Sequence, residues 1–157
     1  MTTDSSTGTV QPTSRTFRSR RFRGTKHSDD FLFVPTKSVL IVEDDQDYAS
    51  LIEHTLTQSG CKVLQASKAV EAVLTARQTI PSAIALDLCL PDGHGSQVLD
   101  ALKQHKRTSS IPVLIVTGML DRKLRHTLRS QGALDVFEKS SEFEKFLNRL
   151  QAVIKWQ

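Results

Sequence analysis

The chain has 157 residues, 38% of them hydrophobic, and a formal net charge of +4. This length supports one substantial hydrophobic core and leaves little room for two. Residues 1–36 carry six Lys or Arg and three Asp, whereas residues 37–157 carry fifteen basic and fourteen acidic residues. The nearly neutral body is therefore not a broad basic surface for nucleic acid by composition.

The two cysteines, Cys61 and Cys89, match no zinc-binding spacing and are too few for a disulfide framework. We therefore expect a reducing, cytoplasmic setting. No stretch approaches about 20 consecutive apolar residues, the length that a membrane span needs. The amino terminus also lacks the basic and apolar regions of a secretory signal. Neither a membrane span nor export is expected.

The first 36 residues are rich in Ser, Thr, Arg and Gly, which predicts disorder. We assign residues 1–36 to a disordered basic arm and residues 37–157 to one folded domain. Within the arm, residues 14–26 interleave two phenylalanines with five arginines. Such a mixture is typical of segments that bind nucleic acid or anionic lipid. The alternative is a solvated arm that only adds solubility.

From Lys37 onward, apolar runs alternate with helical periodicity. The apolar runs predict five strands, at 38–42, 61–66, 83–88, 112–117 and 134–139. The periodic segments predict five helices, at 46–60, 68–80, 95–106, 121–132 and 141–156. Five strand–helix units of this length require right-handed crossovers, so we expect an α/β fold with a parallel sheet and helices on both faces.

Two of the predicted helices have a clear buried stripe. In the first helix the stripe consists of Tyr48, Leu51, Ile52 and Leu56. In the fourth, the residues that should face the sheet are Leu120, Leu124 and Leu128. The residues that should then point outward are Arg122, Arg125 and Arg129. This outer face is either solvated or a docking surface for an acidic downstream protein.

Four acids follow the first predicted strand within five positions: Glu43, Asp44, Asp45 and Asp47. Neighbouring carboxylates repel one another, and burying one without a partner is costly. The cluster therefore either lies in water or meets a positive charge. We assign Asp45 and Asp47 to the start of the first helix, where acids interact favourably with the helix dipole.

Polar side chains also end the other buried strands: Asp87 ends the third, Thr117 the fourth and Lys139 the fifth. The carboxyl ends of parallel strands meet at one edge of the sheet, which is where sites form. Three carboxylates there favour a hard divalent cation such as Mg²⁺. We expect Asp44 and Asp87 to bind it directly and Glu43 to bind it through water.

A divalent cation, the Lys139 ammonium and the Thr117 hydroxyl would together neutralise the peripheral oxygens of a phosphoryl group. Asp87 is then left to attack phosphorus, and aspartyl phosphates are a known form of covalent catalysis. Phosphoryl transfer needs little beyond alignment and charge stabilisation. The predicted sheet edge supplies both.

Four segments, IVEDDQ, ALDLCLPDGHG, IVTG and FEKS, resemble the receiver domain of bacterial two-component response regulators over about residues 37–157. The resemblance implies a five-stranded parallel sheet in the flavodoxin-like order 2-1-3-4-5. It implies that Asp87 accepts phosphate from a sensor histidine kinase or a histidine phosphotransfer protein. The implied Mg²⁺ ligands are Glu43, Asp44, Asp87 and the Cys89 backbone carbonyl. The implied phosphoryl contacts are Thr117 and Lys139.

Two positions depart from the family's pattern. The family commonly has Lys-Pro with a cis bond after the last strand, where this chain has Lys139-Ser140. A cis bond before Ser costs about 2.5–4 kcal/mol, so we expect a trans bond or a strained loop. The family often has an aromatic switch residue where this chain has Val136. The next residue, Phe137, should point to the opposite face of the sheet as part of the core.

Cys89 and Met119 flank the expected phosphoryl site, and neither readily positions an attacking water. We therefore expect slow self-dephosphorylation and no enzymatic turnover. No output domain is visible before Gln157, which gives the expectation of a stand-alone receiver. Two alternatives stay open: a degenerate receiver that acts as a phosphorylation-independent interaction module, and a receiver that gates nucleic-acid binding by the arm. An aspartate-nucleophile hydrolase is disfavoured because its usual second acid is replaced by Cys89.

Overall fold

The structure is a computed structural model that describes residues 36–155. The predicted disordered arm, residues 1–36, lies outside the described residues except for Thr36. The strands of the main sheet are β1 (Ser38–Val42), β2 (Lys62–Ala66), β3 (Ala83–Leu86), β4 (Val113–Thr117) and β5 (Asp135–Glu138). The helices are α1 (Gln46–Gln58), α2 (Ala69–Thr79), α3 (Gly95–Gln104), α4 (Arg122–Ser130) and α5 (Phe143–Lys155).

The main sheet is parallel throughout, and its strand order is β2-β1-β3-β4-β5. This confirms the predicted α/β fold and the flavodoxin-like order. Every helix and every strand of the main sheet begins and ends within two residues of its predicted position. In the register, Val42 lies beside Leu86 and Thr117 lies beside Glu138. The residues that follow β1, β3 and β5 therefore emerge at the same edge of the sheet.

Helices cover both faces of the sheet, as predicted. Alternate residues of β1 explain its unbroken apolar run: Val39 and Ile41 pack on the side of α1 and α5. Leu40 and Val42 pack on the side of α2, α3 and α4. A strand buried on both faces has no solvent-facing positions that polar residues would fill. No helix within residues 36–155 is long and apolar enough to cross a membrane.

The predicted buried stripe of α1 is wrong at one position. Leu51 is 49% exposed, whereas Ala49 is buried together with Ile52 and Leu56. These buried residues follow the spacing i, i+3 and i+7, which defines the face that packs against the sheet. Leu51 directly precedes Ile52, so it points about 100° away from that face along the helix.

The outward-facing arginines of α4 require a correction at Arg125. Leu128 is buried and Leu124 is partly buried against the same core, which confirms the inward face of the helix. Arg125, however, does not point into solvent: its guanidinium donates to the Val136 carbonyl and to the Glu142 carboxylate. A long side chain on the flank of a helix can cross to the next strand, which the helical pattern alone does not show.

Candidate functional site

The first wall of the site is the turn between β1 and α1. The Glu43 backbone N–H donates to the Ala66 carbonyl at 2.9 Å and so extends the sheet by one bond. Glu43 Oε1 accepts from the Asp45 N–H at 3.1 Å. The Asp45 side chain in turn accepts from the N–H groups of Asp47 and Tyr48 and caps α1. Asp45 thus caps the start of α1, whereas the Glu43 side chain points into the site, where it accepts a hydrogen bond from Lys139.

The second wall is the segment that follows β3. The Asp87 N–H donates to the Val42 carbonyl at 2.9 Å, which places its side chain beside the end of β1. Cys89–Leu90 and Gly93–His94 then form a small antiparallel hairpin. The start of α3 lies tightly against the residues that follow β3, because a Cβ at Gly95 would lie 2.2 Å from the Asp87 carbonyl oxygen. Only glycine fits there.

Lys139 closes the site from β5. Its Nζ lies 2.5 Å from Glu43 Oε2 and 3.1 Å from Asp87 Oδ2. Its backbone N–H donates to the Thr117 carbonyl at 2.9 Å, so the end of β4 supports it. The Lys139–Ser140 peptide bond is trans, which was one of the two expectations for this position, the other being a strained loop. The ammonium group therefore bridges two carboxylates that come from different strands.

Three carboxylates converge beside this ammonium group. Ligand oxygens of Glu43, Asp44 and Asp87 all lie within 4.8 Å of one another. Asp87 Oδ1 is buried and accepts no hydrogen bond from any described residue. Such an orphaned buried oxygen is costly, and hard cations prefer oxygen ligands. The residues present at this edge therefore fit a divalent cation of the Mg²⁺ type.

The charge states of the site follow from burial and pairing. Burial raises the pKa of Glu43, and the hydrogen bond from Lys139 offsets only part of that rise. Burial alone would lower the pKa of Lys139, but hydrogen bonds to Glu43 and Asp87 raise it above its ordinary value. Opposite charges nearby favour the charged form. Lys139 therefore carries its charge at neutral pH.

The other predicted site residues lie at the same edge. Thr117 is buried and ends β4 beside Glu138, the last residue of β5, which Lys139 directly follows. Cys89 is exposed in the hairpin two residues after Asp87. Met119 is 84% exposed in the segment between β4 and α4. The roles of the Thr117 hydroxyl and the Cys89 carbonyl stay predictions.

One site residue was missed from the sequence. The Lys139 ammonium lies 4.6 Å from the centroid of the Tyr48 ring. Phe143 at the start of α5 packs edge-on against Tyr48, with ring centroids 5.5 Å apart. The sequence placed Tyr48 only on the buried stripe of its helix, and nothing in the pattern indicated a cation contact. The ring face attracts the ammonium group and limits where it lies.

Comparison with known proteins identifies the family. The response regulator receiver domain matches residues 39–151. The chain belongs to this family. Proteins of the family interact with histidine kinases or histidine phosphotransfer proteins, and the receiver is the part that carries the acidic pocket described above. The predicted resemblance is therefore confirmed.

Several curated receivers are similar in sequence. Protein PilH of Pseudomonas aeruginosa is 31% identical, and the match covers 74% of this chain and 96% of PilH. The polar-differentiation response regulator DivK of Brucella ovis is 28% identical, with 76% of this chain and 97% of DivK covered. The DNA-binding dual master transcriptional regulator RpaA of Synechocystis is 33% identical over 74% of this chain. The chain spans about half of RpaA, since the match covers 48% of that protein.

Solved structures agree with this receiver fold. A putative response regulator from Chloroflexus aurantiacus has a TM-score of 0.69 and 27% identity, covering 76% of this chain and 98% of that one. The signal receiver domain of a putative Luxo repressor protein from Vibrio parahaemolyticus has a TM-score of 0.70 and 27% identity. The match covers 76% of this chain and 91% of that chain.

Proposed function

We propose that this receiver takes a phosphoryl group onto Asp87 from the phosphohistidine of a sensor histidine kinase or a histidine phosphotransfer protein. One observation carries the proposal: the Lys139 ammonium bridges Glu43 and Asp87 beside an Asp87 oxygen that no described residue hydrogen-bonds. A carboxylate held in this way is oriented by its partner and still has an oxygen available for chemistry.

The proposed transfer exchanges one bond for another. An Asp87 oxygen forms a bond to phosphorus while the phosphorus–nitrogen bond of the phosphohistidine breaks and returns its electron pair to the imidazole. Lys139 is already charged and can turn from the carboxylates to a phosphoryl oxygen. The Thr117 hydroxyl donates to a second phosphoryl oxygen. The product is an aspartyl phosphate, and the protein is not expected to turn over as an enzyme.

We propose Mg²⁺ as the cation, held by Glu43, Asp44, Asp87 and the Cys89 backbone carbonyl. The bound ion would neutralise charge on the phosphoryl oxygens, as metals do in other phosphoryl transfers. The need for it follows from the charges: three carboxylates face one ammonium group, so the edge is net negative. An incoming phosphoryl group would otherwise be repelled.

The signal would leave through α4. Thr117 directly precedes the segment that enters α4, so a movement of Thr117 toward the phosphoryl group would pull on this helix. Arg122 and Lys123 are exposed there and suit an acidic downstream protein. Moving such a switch from 1:99 to 99:1 requires about 5.5 kcal/mol of differential interaction. We further propose a cytoplasmic location, which suits the free thiols of Cys61 and Cys89.

Intact-mass spectrometry tests the phosphoacceptor proposal. After incubation with Mg²⁺ and acetyl phosphate, the mass should rise by one phosphoryl group, and Asp87→Asn should abolish the rise. Asp47→Asn is the matched control, because Asp47 is an exposed acid of the same cluster outside the proposed site. Equal phosphorylation of the Asp87→Asn variant would contradict the proposal. A folded wild-type protein that takes no phosphoryl group would favour the degenerate receiver.

The proposal that the arm binds nucleic acid concerns residues outside the described part of the chain. It stays an alternative with its own test. Binding of the full chain to an oligonucleotide should fall as salt rises and should vanish when residues 1–30 are deleted. Salt-dependent binding that persists without the arm would contradict it.

A further inference from the structure

Lys139 sits in a turn that lacks the rigidity the family usually builds into it. The turn runs from the end of β5 to the start of α5, and Ser140 stands where the family commonly has proline. A serine leaves the backbone more conformations than a proline does. Something else must therefore hold the turn if the Lys139 ammonium is to reach Asp87.

Glu142 closes this turn from the far side. Its carboxylate Oε2 accepts the Glu138 N–H at 3.0 Å, and its own N–H donates to the Glu138 carbonyl at 2.9 Å. Lys139 lies between these two residues. The two ends of the turn are thus joined by Glu142, and the bond from the Lys139 N–H to the Thr117 carbonyl fixes the turn near its start.

Arg125 of α4 holds the Glu142 carboxylate in place. Its Nη2 lies 2.7 Å from Glu142 Oε2, and its Nη1 donates to the Val136 carbonyl of β5. The hydrogen bond from Arg125, together with that from the Glu138 N–H, lowers the pKa of Glu142. The carboxylate is therefore charged at neutral pH. One planar guanidinium group joins α4, β5 and the Lys139 turn, which a single ammonium group could not do with the same geometry.

We infer that the ion pair between Arg125 and Glu142, which we call the latch, positions Lys139 for phosphoryl transfer. The latch also couples the position of Lys139 to that of α4. The kinetic part of this inference rests on the proposed function. Both residues are positioning residues, because neither touches Asp87 or the phosphoryl group. A displacement of α4 withdraws the guanidinium, releases the Glu142 carboxylate from the turn and loosens Lys139. The latch replaces the aromatic switch that Val136 cannot supply.

The kinetic test uses Arg125→Met and Glu142→Gln with saturating Mg²⁺ and acetyl phosphate. Each variant should take up the phosphoryl group roughly tenfold more slowly, since small misplacements of a catalytic group reduce rates strongly. The dissociation constant for Mg²⁺, measured by calorimetry, should change by less than about twofold, because the carboxylates are untouched. The double variant should be no slower than either single variant, because both substitutions break the same interaction.

Two matched controls distinguish the effect of breaking the latch from the effect of removing any charged side chain of α5. Glu144→Gln removes an exposed acid from the first turn of α5. Arg149→Met removes an arginine whose Nε lies 3.8 Å from Asp135, away from the Lys139 turn. Both controls should phosphorylate at the wild-type rate. Equal slowing in the controls would overturn the inference.

Amide hydrogen exchange provides a readout that needs no phosphorylation. In either latch variant, the backbone N–H groups of Glu138 and Lys139 should exchange roughly tenfold faster than in the wild type, while β1 amides keep their protection. If the wild type takes up no phosphoryl group, the proposed function is wrong. The exchange rates then still test whether the latch holds the Lys139 turn. Unchanged exchange at Glu138 and Lys139 would overturn the latch, even if the melting temperature falls.

Discussion

Replacing Gly95 with alanine tests whether the close contact between the start of α3 and Asp87–Leu88 fixes the backbone of the proposed phosphoacceptor. A Cβ at this position would lie 2.2 Å from the Asp87 carbonyl oxygen and 2.8 Å from the Leu88 Cα. Both neighbours are backbone atoms, so no side chain can rotate away to make room. The Gly95 N–H also donates to the Leu88 carbonyl at 2.8 Å, which ties the two segments together.

The size of the effect follows from these distances. Carbon atoms in ordinary contact lie about 3.5–4.0 Å apart, so the two segments must separate by roughly 1 Å. Overpacking of this kind destabilises a fold by about 1–3 kcal/mol. A misplacement of about 1 Å in a reacting group reduces a rate by roughly 10²-fold. We therefore expect Gly95→Ala to fold, to lose about 2 kcal/mol of stability and to phosphorylate very slowly.

Urea unfolding and the rate of phosphoryl uptake from acetyl phosphate measure the two effects. Gly118→Ala is the matched control, because a Cβ at Gly118 meets no atom within 4 Å. We expect its free energy of unfolding to change by less than about 0.5 kcal/mol. A Gly95→Ala variant with wild-type stability and a wild-type rate would refute the claim that this contact places Asp87.

Three further predictions concern stability and the lifetime of the phosphorylated form. The pKa of Glu142 is held below its ordinary value of 4.5, so its bonds stabilise the fold above that pH and are lost as the pH falls through the lowered pKa. In urea unfolding, Glu142→Gln should therefore be less stable than the wild type at about pH 6, and this difference should shrink as the pH falls below 4.5, whereas a constant difference would contradict this. Phe137→Ala should lower the free energy of unfolding by about 3–5 kcal/mol, because Phe137 is buried and its ring centroid lies 5.8 Å from that of Phe146. A loss under about 1 kcal/mol would show that Phe137 is not part of the core. Without a polar group to orient water, the phosphorylated wild type should persist for minutes or longer, and Met119→Gln should shorten its life; decay of the wild type within seconds would count against this.

The sheet and the location of the site could be predicted from the sequence. The apolar run of β1 and the positions of the site residues at strand ends show why. Val39–Val42 is buried on both faces, as expected for a strand of a parallel sheet that helices cover on both sides. The parallel direction of the strands then places every strand end at one edge. Glu43, Asp87 and Lys139 are far apart in the chain but occupy strand ends, so their meeting followed from topology.

The contacts made by long side chains could not be predicted in the same way. Arg125 was expected to face solvent, because the helical pattern reports the direction of a side chain and not what lies across from it. Its contact with Glu142 depends on the distance between α4 and the turn before α5, which no local pattern encodes. The same limit applies to Tyr48, whose contact with Lys139 depends on how α1 meets the end of β5.

Locating the phosphoryl group within the chain tests the central claim most directly. Borohydride reduces an aspartyl phosphate to homoserine, which peptide mass spectrometry assigns to one position. After incubation with Mg²⁺ and acetyl phosphate, we predict homoserine at position 87 alone and none when Mg²⁺ is withheld. Homoserine in place of another acid, such as Asp44, or the same yield at position 87 without a divalent cation, would contradict the claim that Asp87 accepts the phosphoryl group at a cation site shared with Lys139.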